Sequence, residues 1–289
     1  MASIPPSLTS PSRETARAIS YSWRALPGAE AANFRRARLP VGAGIVTVLA
    51  VSWAYVIYMV WGMENMDAVA DSLLMPSMID WSVVDLLLVF IMWAVMMAAM
   101  MLPSSAPLLM LLAKINTERY GRRRALLATG VFGLGYLAVW SGFSLLATLA
   151  QWGLLEARLV SSMMNSASPI LSAALLAAAG MYQFTPLKHA CLARCRSPLS
   201  VLLNHWREGF PGAFAMGLRQ GAYCTGCCWL LMGLLFVFGV MNLIWIAGLS
   251  LLVLMEKLLR QPRWFTQATG AILLAWAALV AGQATFLLG

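Results

Sequence analysis

Sulfur and carboxylate side chains crowd into stretches of this chain that are otherwise as apolar as lipid. The segment FIMWAVMMAAMMLPSSAPLLM (90–110) carries Met92, Met96, Met97, Met100, Met101 and Met110, with Asp85 a few residues upstream in the same apolar run. At about 100° per residue, Asp85, Met92, Met96 and Met100 share one helical face, while Met97 and Met101 lie well round from it and read as packing. Thioethers suit Cu(I), and a carboxylate at the end of such a row can act as a first ligand or a proton acceptor. An ionisable group inside an apolar span is costly, which makes Asp85 a functional candidate. Methionine is also a flexible core filler, so packing competes with metal binding as the explanation of the row.

A second constellation, YCTGCCWLLM (223–232), places Cys224, Cys227 and Cys228 at i, i+3 and i+4, with Met232 one turn further on the same face. The Cys-x-x-Cys spacing is compatible with a thiolate metal pair. Adjacent and i, i+3 helical cysteines have poor geometry for a disulfide. A third group, TPLKHACLARCRSPL (185–199), holds His189, Cys191 and Cys195 among basic residues and reads as an inner-side docking site for a soft metal or as an interfacial segment. These two groups contain all five cysteines. Glu256 and Lys257 close a later span: Glu256 can turn inward to pair with an arginine, and Lys257 is expected to snorkel to the interface.

Long apolar elements must position these groups. The 289 residues are 61% hydrophobic and only 11% charged, against roughly 25% charged in soluble domains. Apolar spans run near 41–62, 81–102, 126–154, 169–186, 212–239, 241–259 and 266–288. Each approaches the ~20 residues that cross a bilayer as a helix. They are too long and too uniformly apolar for barrel strands. The expected fold is therefore all-α, a polytopic transmembrane helix bundle of about seven spans. Pro103 is expected to kink or stop the second span. In GVFGLG (130–135), inside the third, glycines indicate close helix packing rather than nucleotide binding.

Charge placement orients the bundle. With the N-terminus cytoplasmic, every lysine and arginine except Arg158 falls on the inner side, while Glu64, Asp67, Asp71, Asp80 and Glu156 lie outside. This bias follows the positive-inside rule. The net charge of +9 is thus topology rather than a nucleic-acid footprint. Residues 1–40, rich in Ser, Pro, Ala and Arg, read as a disordered cytoplasmic tail before a bundle over 41–289. The chain has no P-loop, HExxH or Gly-elbow serine, and its two histidines are too few for most haem-copper or di-iron oxidases. His205 reads as a surface residue of an inner loop.

The segments WAVMMAAMMLPSSAPLL (93–109), YQFTPLKHACLARCRSP (182–198), GLRQGAYCTGCCWLLM (217–232) and FVFGVMNLIWIAGLSLLVLMEKL (236–258) carry a resemblance. Over roughly residues 80–288 the chain resembles a bacterial family of predicted metal-binding integral membrane proteins. The resemblance implies a histidine where this chain has Gln220, and glutamine is the poorer soft-metal ligand. The expectation is a copper carrier, chaperone or permease in a bacterial inner membrane. Its partners would be the lipid bilayer and a metal donor or acceptor protein or an oxidoreductase, with no nucleic acid. A copper- or thiol-dependent membrane oxidoreductase, or a subunit of one, is the alternative; a structural assembly subunit is a third.

Overall fold

The computed structural model describes residues 28–65, 82–157, 168–197, 207–258 and 263–288. His205, Arg158, the acidic residues Asp67, Asp71 and Asp80, and the chain before residue 28 lie outside the described residues, as do the side chains of residues 28–38 and of Glu64. The described residues form helices α1 (Gly28–Glu64), α2 (Val83–Tyr120), α3 (Arg122–Glu156), α4 (Pro169–Tyr182), α5 (Pro186–Cys195), α6 (Gly209–Gly233), α7 (Leu235–Phe238), α8 (Leu243–Leu258) and α9 (Trp264–Leu288). Helix α1 begins at Gly28 and runs through Pro40, so it takes in part of the segment read from composition as a tail.

Among the described residues, five helices are long and apolar enough to cross a membrane: α1 from Leu39 to Gly62, α2, α3, the stretch Gly209–Phe238, and α9 over Trp264–Ala284. The pair α4–α5 makes a sixth if counted as one span bent by 67°. The apolar segment 241–259 forms α8, whose 16 residues are fewer than the roughly 20 of a full crossing.

Helix α2 does not stop at Pro103. It continues through Pro103 and Pro107 to Tyr120, roughly 57 Å at 1.5 Å per residue. A proline withholds an N–H from the helix, and here side chains bond the carbonyls around it. Ser104 Oγ donates to Met101 O at 2.8 Å and Ser105 Oγ to Leu102 O at 3.0 Å. Ser250 Oγ of α8 donates to Met100 O at 3.4 Å, and Tyr136 OH of α3 to Met101 O at 3.2 Å. Such outside donors are what allow proline inside apolar helices.

The core lies where α2, α3 and α6 meet. Helices α3 and α6 cross backbone against backbone: a Cβ on Gly217 would strike Phe132 O, one on Gly135 would strike Phe214 O, and one on Gly221 would sit 2.9 Å from Val139 Cβ. Small residues are what permit such an approach. Of GVFGLG, Gly135 makes the crossing, whereas a Cβ on Gly130 or Gly133 would meet open space. Helix α9 packs on α4 through Gly180 and Gly270 in the same way.

Candidate metal centre

The α3–α6 crossing sets the height of Tyr136 against Cys224. Tyr136 OH lies 2.9 Å from Cys224 Sγ, and both residues are buried. Lys257 of α8 enters from the other side. Its Nζ donates to Cys224 Sγ at 2.9 Å, to Met101 Sδ at 3.7 Å and to Ser104 Oγ at 3.3 Å. An ammonium has three donors, and all three have acceptors, two of them sulfur. Cys228 Sγ faces Met101 Sδ at 4.0 Å. Four helices, α2, α3, α6 and α8, thus bring Met101, Cys224, Cys228, Tyr136 and Lys257 to one place.

Lys257 does not snorkel. It is only 7% exposed and points into the bundle. Its neighbour Glu256 also turns inward, but its partner is a lysine rather than an arginine. Lys188 Nζ of α5 donates to both Glu256 oxygens, at 3.0 and 2.9 Å, with both side chains 1% exposed. Arg196 Nε donates to the Glu256 carbonyl at 2.7 Å, which ties the end of α5 to α8.

The inner cysteines join the same region. Cys195 of α5 faces α6, and Cys191 Sγ fills the space over Gly226, 3.1 Å from where a Cβ would stand. Tyr182 OH donates to Gly226 O beside it. Cys227 and Cys228 each donate to the Cys224 carbonyl at 3.0 Å. The thiols lie along α6 and the facing helix α5 rather than in a cage. Among the described residues, no three His, Cys, Asp or Glu side chains are grouped so as to hold a metal ion by themselves. Cys227 and Cys228 both bond back to the carbonyl one turn earlier in their own helix, and the sulfur that meets Cys228 from another helix is Met101. His189 is half-buried on the other side of α5, among Lys188, Arg196 and Arg263.

The Asp85 face has a different surrounding. Asp85 occupies the first turn of α2, where its carboxylate accepts from Ser82 N at 2.9 Å and Ser82 Oγ at 2.6 Å in a capping box. The Ser82-x-x-Asp85 spacing announces such a box in the sequence. Asp85 stands about 24 Å along the helix from Met101. Met92, Met96 and Met100 are buried in the apolar core, as is Met232. Met101, expected to be packing, is the methionine that meets Cys228 and Lys257. Tyr136, Lys188 and Lys257 had no motif to mark them. The legible signal was a glutamate and a lysine at the end of a very apolar span.

Metal–sulfur bonds of about 2.3 Å put two ligating sulfurs within about 4.6 Å of each other. The 4.0 Å between Cys228 and Met101 meets that condition. Thiolate with thioether favours Cu(I), whereas structural zinc asks for four ligands. Gln220, one turn before Cys224, is buried, and its Oε1 lacks a hydrogen-bond partner among the described residues.

Among the described residues, long apolar helices around a buried sulfur cluster define an all-helical protein. Residues 90–280 match the family model described as PpoB2, copper chaperone, and the chain belongs to that family. Its membership associates the chain with copper handling. No curated protein and no solved structure matched it.

Proposed function

We propose that the protein is a membrane-embedded copper chaperone that carries Cu(I) on Met101, Cys224 and Cys228 and passes it along the thiols of Cys227 and Cys195. The observation that carries this reading is the 4.0 Å approach of Met101 Sδ to Cys228 Sγ from two helices, with Cys224 Sγ joined to Met101 Sδ through Lys257 Nζ. A low-coordinate sulfur set holds Cu(I) and still leaves room for an incoming sulfur of an acceptor, which is what transfer by ligand exchange requires. Thiols spaced along α6 and the facing α5 would offer successive stations, so the ion need never be released to water.

In this reading the seven apolar segments lie in the bilayer with the N-terminus inside. Helix α5 then returns into the protein and presents Cys195 near the inner face. Basic residues around that end, including Arg194 and Arg196, would meet an acidic copper donor or acceptor protein. The oxidoreductase alternative draws less support: Tyr136 beside Cys224 is the one feature that favours it, and a tyrosine and a thiol alone do not supply a reaction.

The test is Cu(I) titration of the reduced, full-length protein in nanodiscs against a chromogenic Cu(I) chelator. The wild type should bind Cu(I) with sulfur-only coordination by X-ray absorption. Cys224→Ser combined with Cys228→Ser should weaken binding by at least about a hundredfold, since two of three soft ligands are lost. A wild type that binds no Cu(I) would sink the proposal.

A further inference from the structure

Lys257 is an unusual neighbour for a metal site. A buried ammonium is costly and ordinarily sits against a carboxylate. Here Glu256, next in the chain, has both oxygens taken by Lys188. That pair is neutral as a whole and leaves the charge of Lys257 to be met by what it touches, namely Cys224 Sγ, Met101 Sδ and Ser104 Oγ. Of these, only the cysteine sulfur can carry negative charge. The sulfur site therefore has a lysine side chain set against two of its sulfurs before any cation arrives.

We infer that Lys257 is the specificity-determining residue of the site, selecting a monovalent soft cation over a divalent one; this rests on the copper reading above. The reason is a charge count. Ligating thiols bind as thiolates, their protons passing to water. Two thiolates, from Cys224 and Cys228, with one monovalent ion leave one negative charge, which the Lys257 ammonium cancels. The same two thiolates with a divalent ion are already neutral, and Lys257 is then left as an uncompensated buried cation against the Cys224 sulfur that holds the ion, a few ångströms away. In a partly buried environment one extra unit of repulsion at that distance is worth several powers of ten at most, and roughly a hundredfold after relaxation. Softness favours Cu(I), Ag(I), Cd(II) and Hg(II) alike at sulfur, so it does not by itself make this choice; the ammonium does.

The experiment compares Ag(I) with Cd(II), two soft ions that differ in charge, by competition on the full-length protein in nanodiscs. The wild type should prefer Ag(I), and Lys257→Gln should reduce the Ag(I)-to-Cd(II) affinity ratio by about a hundredfold. Lys257→Arg, which keeps the charge, should retain the wild-type ratio. A ratio unchanged in Lys257→Gln, or a wild type that binds Cd(II) as tightly as Ag(I), would overturn the inference while leaving copper binding intact; the wild-type measurement decides even where the glutamine variant does not fold. Failure of the wild type to bind either monovalent ion would instead remove the copper reading itself.

Discussion

The first turn and the middle of α2 both carry side chains that could bind a cation, and they do opposite things with them. Near its start, Asp85 shares a helical face with Met92 and Met96; near Pro103, Met101 stands beside prolines and serines on a face with no obvious chemistry. Yet Asp85 closes its own helix terminus through Ser82, and Met101 meets a thiol from α6 and an ammonium from α8. The difference teaches that a shared face on one helix is not a site. A site needs a second helix close enough to bring in another ligand, and on this chain the glycines of α3 and α6 decide where that happens.

That contrast can be broken most sharply through the buried Lys188–Glu256 pair, whose carboxylate adjoins Lys257 in the chain. Glu256→Gln leaves the Lys188 charge without its carboxylate in an enclosed position, and removing one partner of such a pair typically costs about 3–5 kcal/mol. Asp85→Asn should cost about 1 kcal/mol, the scale of a weakened helix cap. Denaturant or thermal unfolding in one detergent would compare the two, and equal losses would mean the two regions are not as different as their contacts imply. Cu(I) affinity gives the next contrast. Met101→Leu, which conserves volume, should weaken binding roughly tenfold, one soft ligand among three, with little loss of stability. Met96→Leu and Asp85→Asn should leave the affinity within about twofold on the same scale. A tenfold effect from Met96→Leu would restore the outer face as the binding surface. The smallest effect is expected one turn from Cys224: Gln220→His adds an imidazole beside the sulfur set and should tighten Cu(I) binding by roughly three- to tenfold, read in the same chelator titration.

Much of the architecture was legible in the chain. The apolar segments that composition marked form helices, and the Cys224, Cys227 and Cys228 register on one helix followed from spacing alone. Long uniform apolarity determines helices because buried backbone groups must bond within their own segment. The prolines of α2 misled for a related reason: whether a proline ends a helix depends on outside donors, here Tyr136, Ser250 and the helix's own serines, and those come from the packing.

The partners were not legible. Periodicity favoured Met100 and set Met101 aside, though the two are adjacent, because it knows one helix's faces but not which neighbour each face meets. Lys257 looked like a residue that reaches for water, since a lone lysine at a helix end is most cheaply hydrated there. Its inward position became tolerable only once Cys224, Met101 and Ser104 were assembled around it. Cys195 looked like part of a separate inner group until the bend between α4 and α5 brought it to face α6. The sequence by itself determined the helices, their apolar character and the supply of soft ligands, because these depend on local composition and backbone bonding. The tertiary structure decided which ligands meet and what charge stands beside them, because both depend on contacts between residues far apart in the chain.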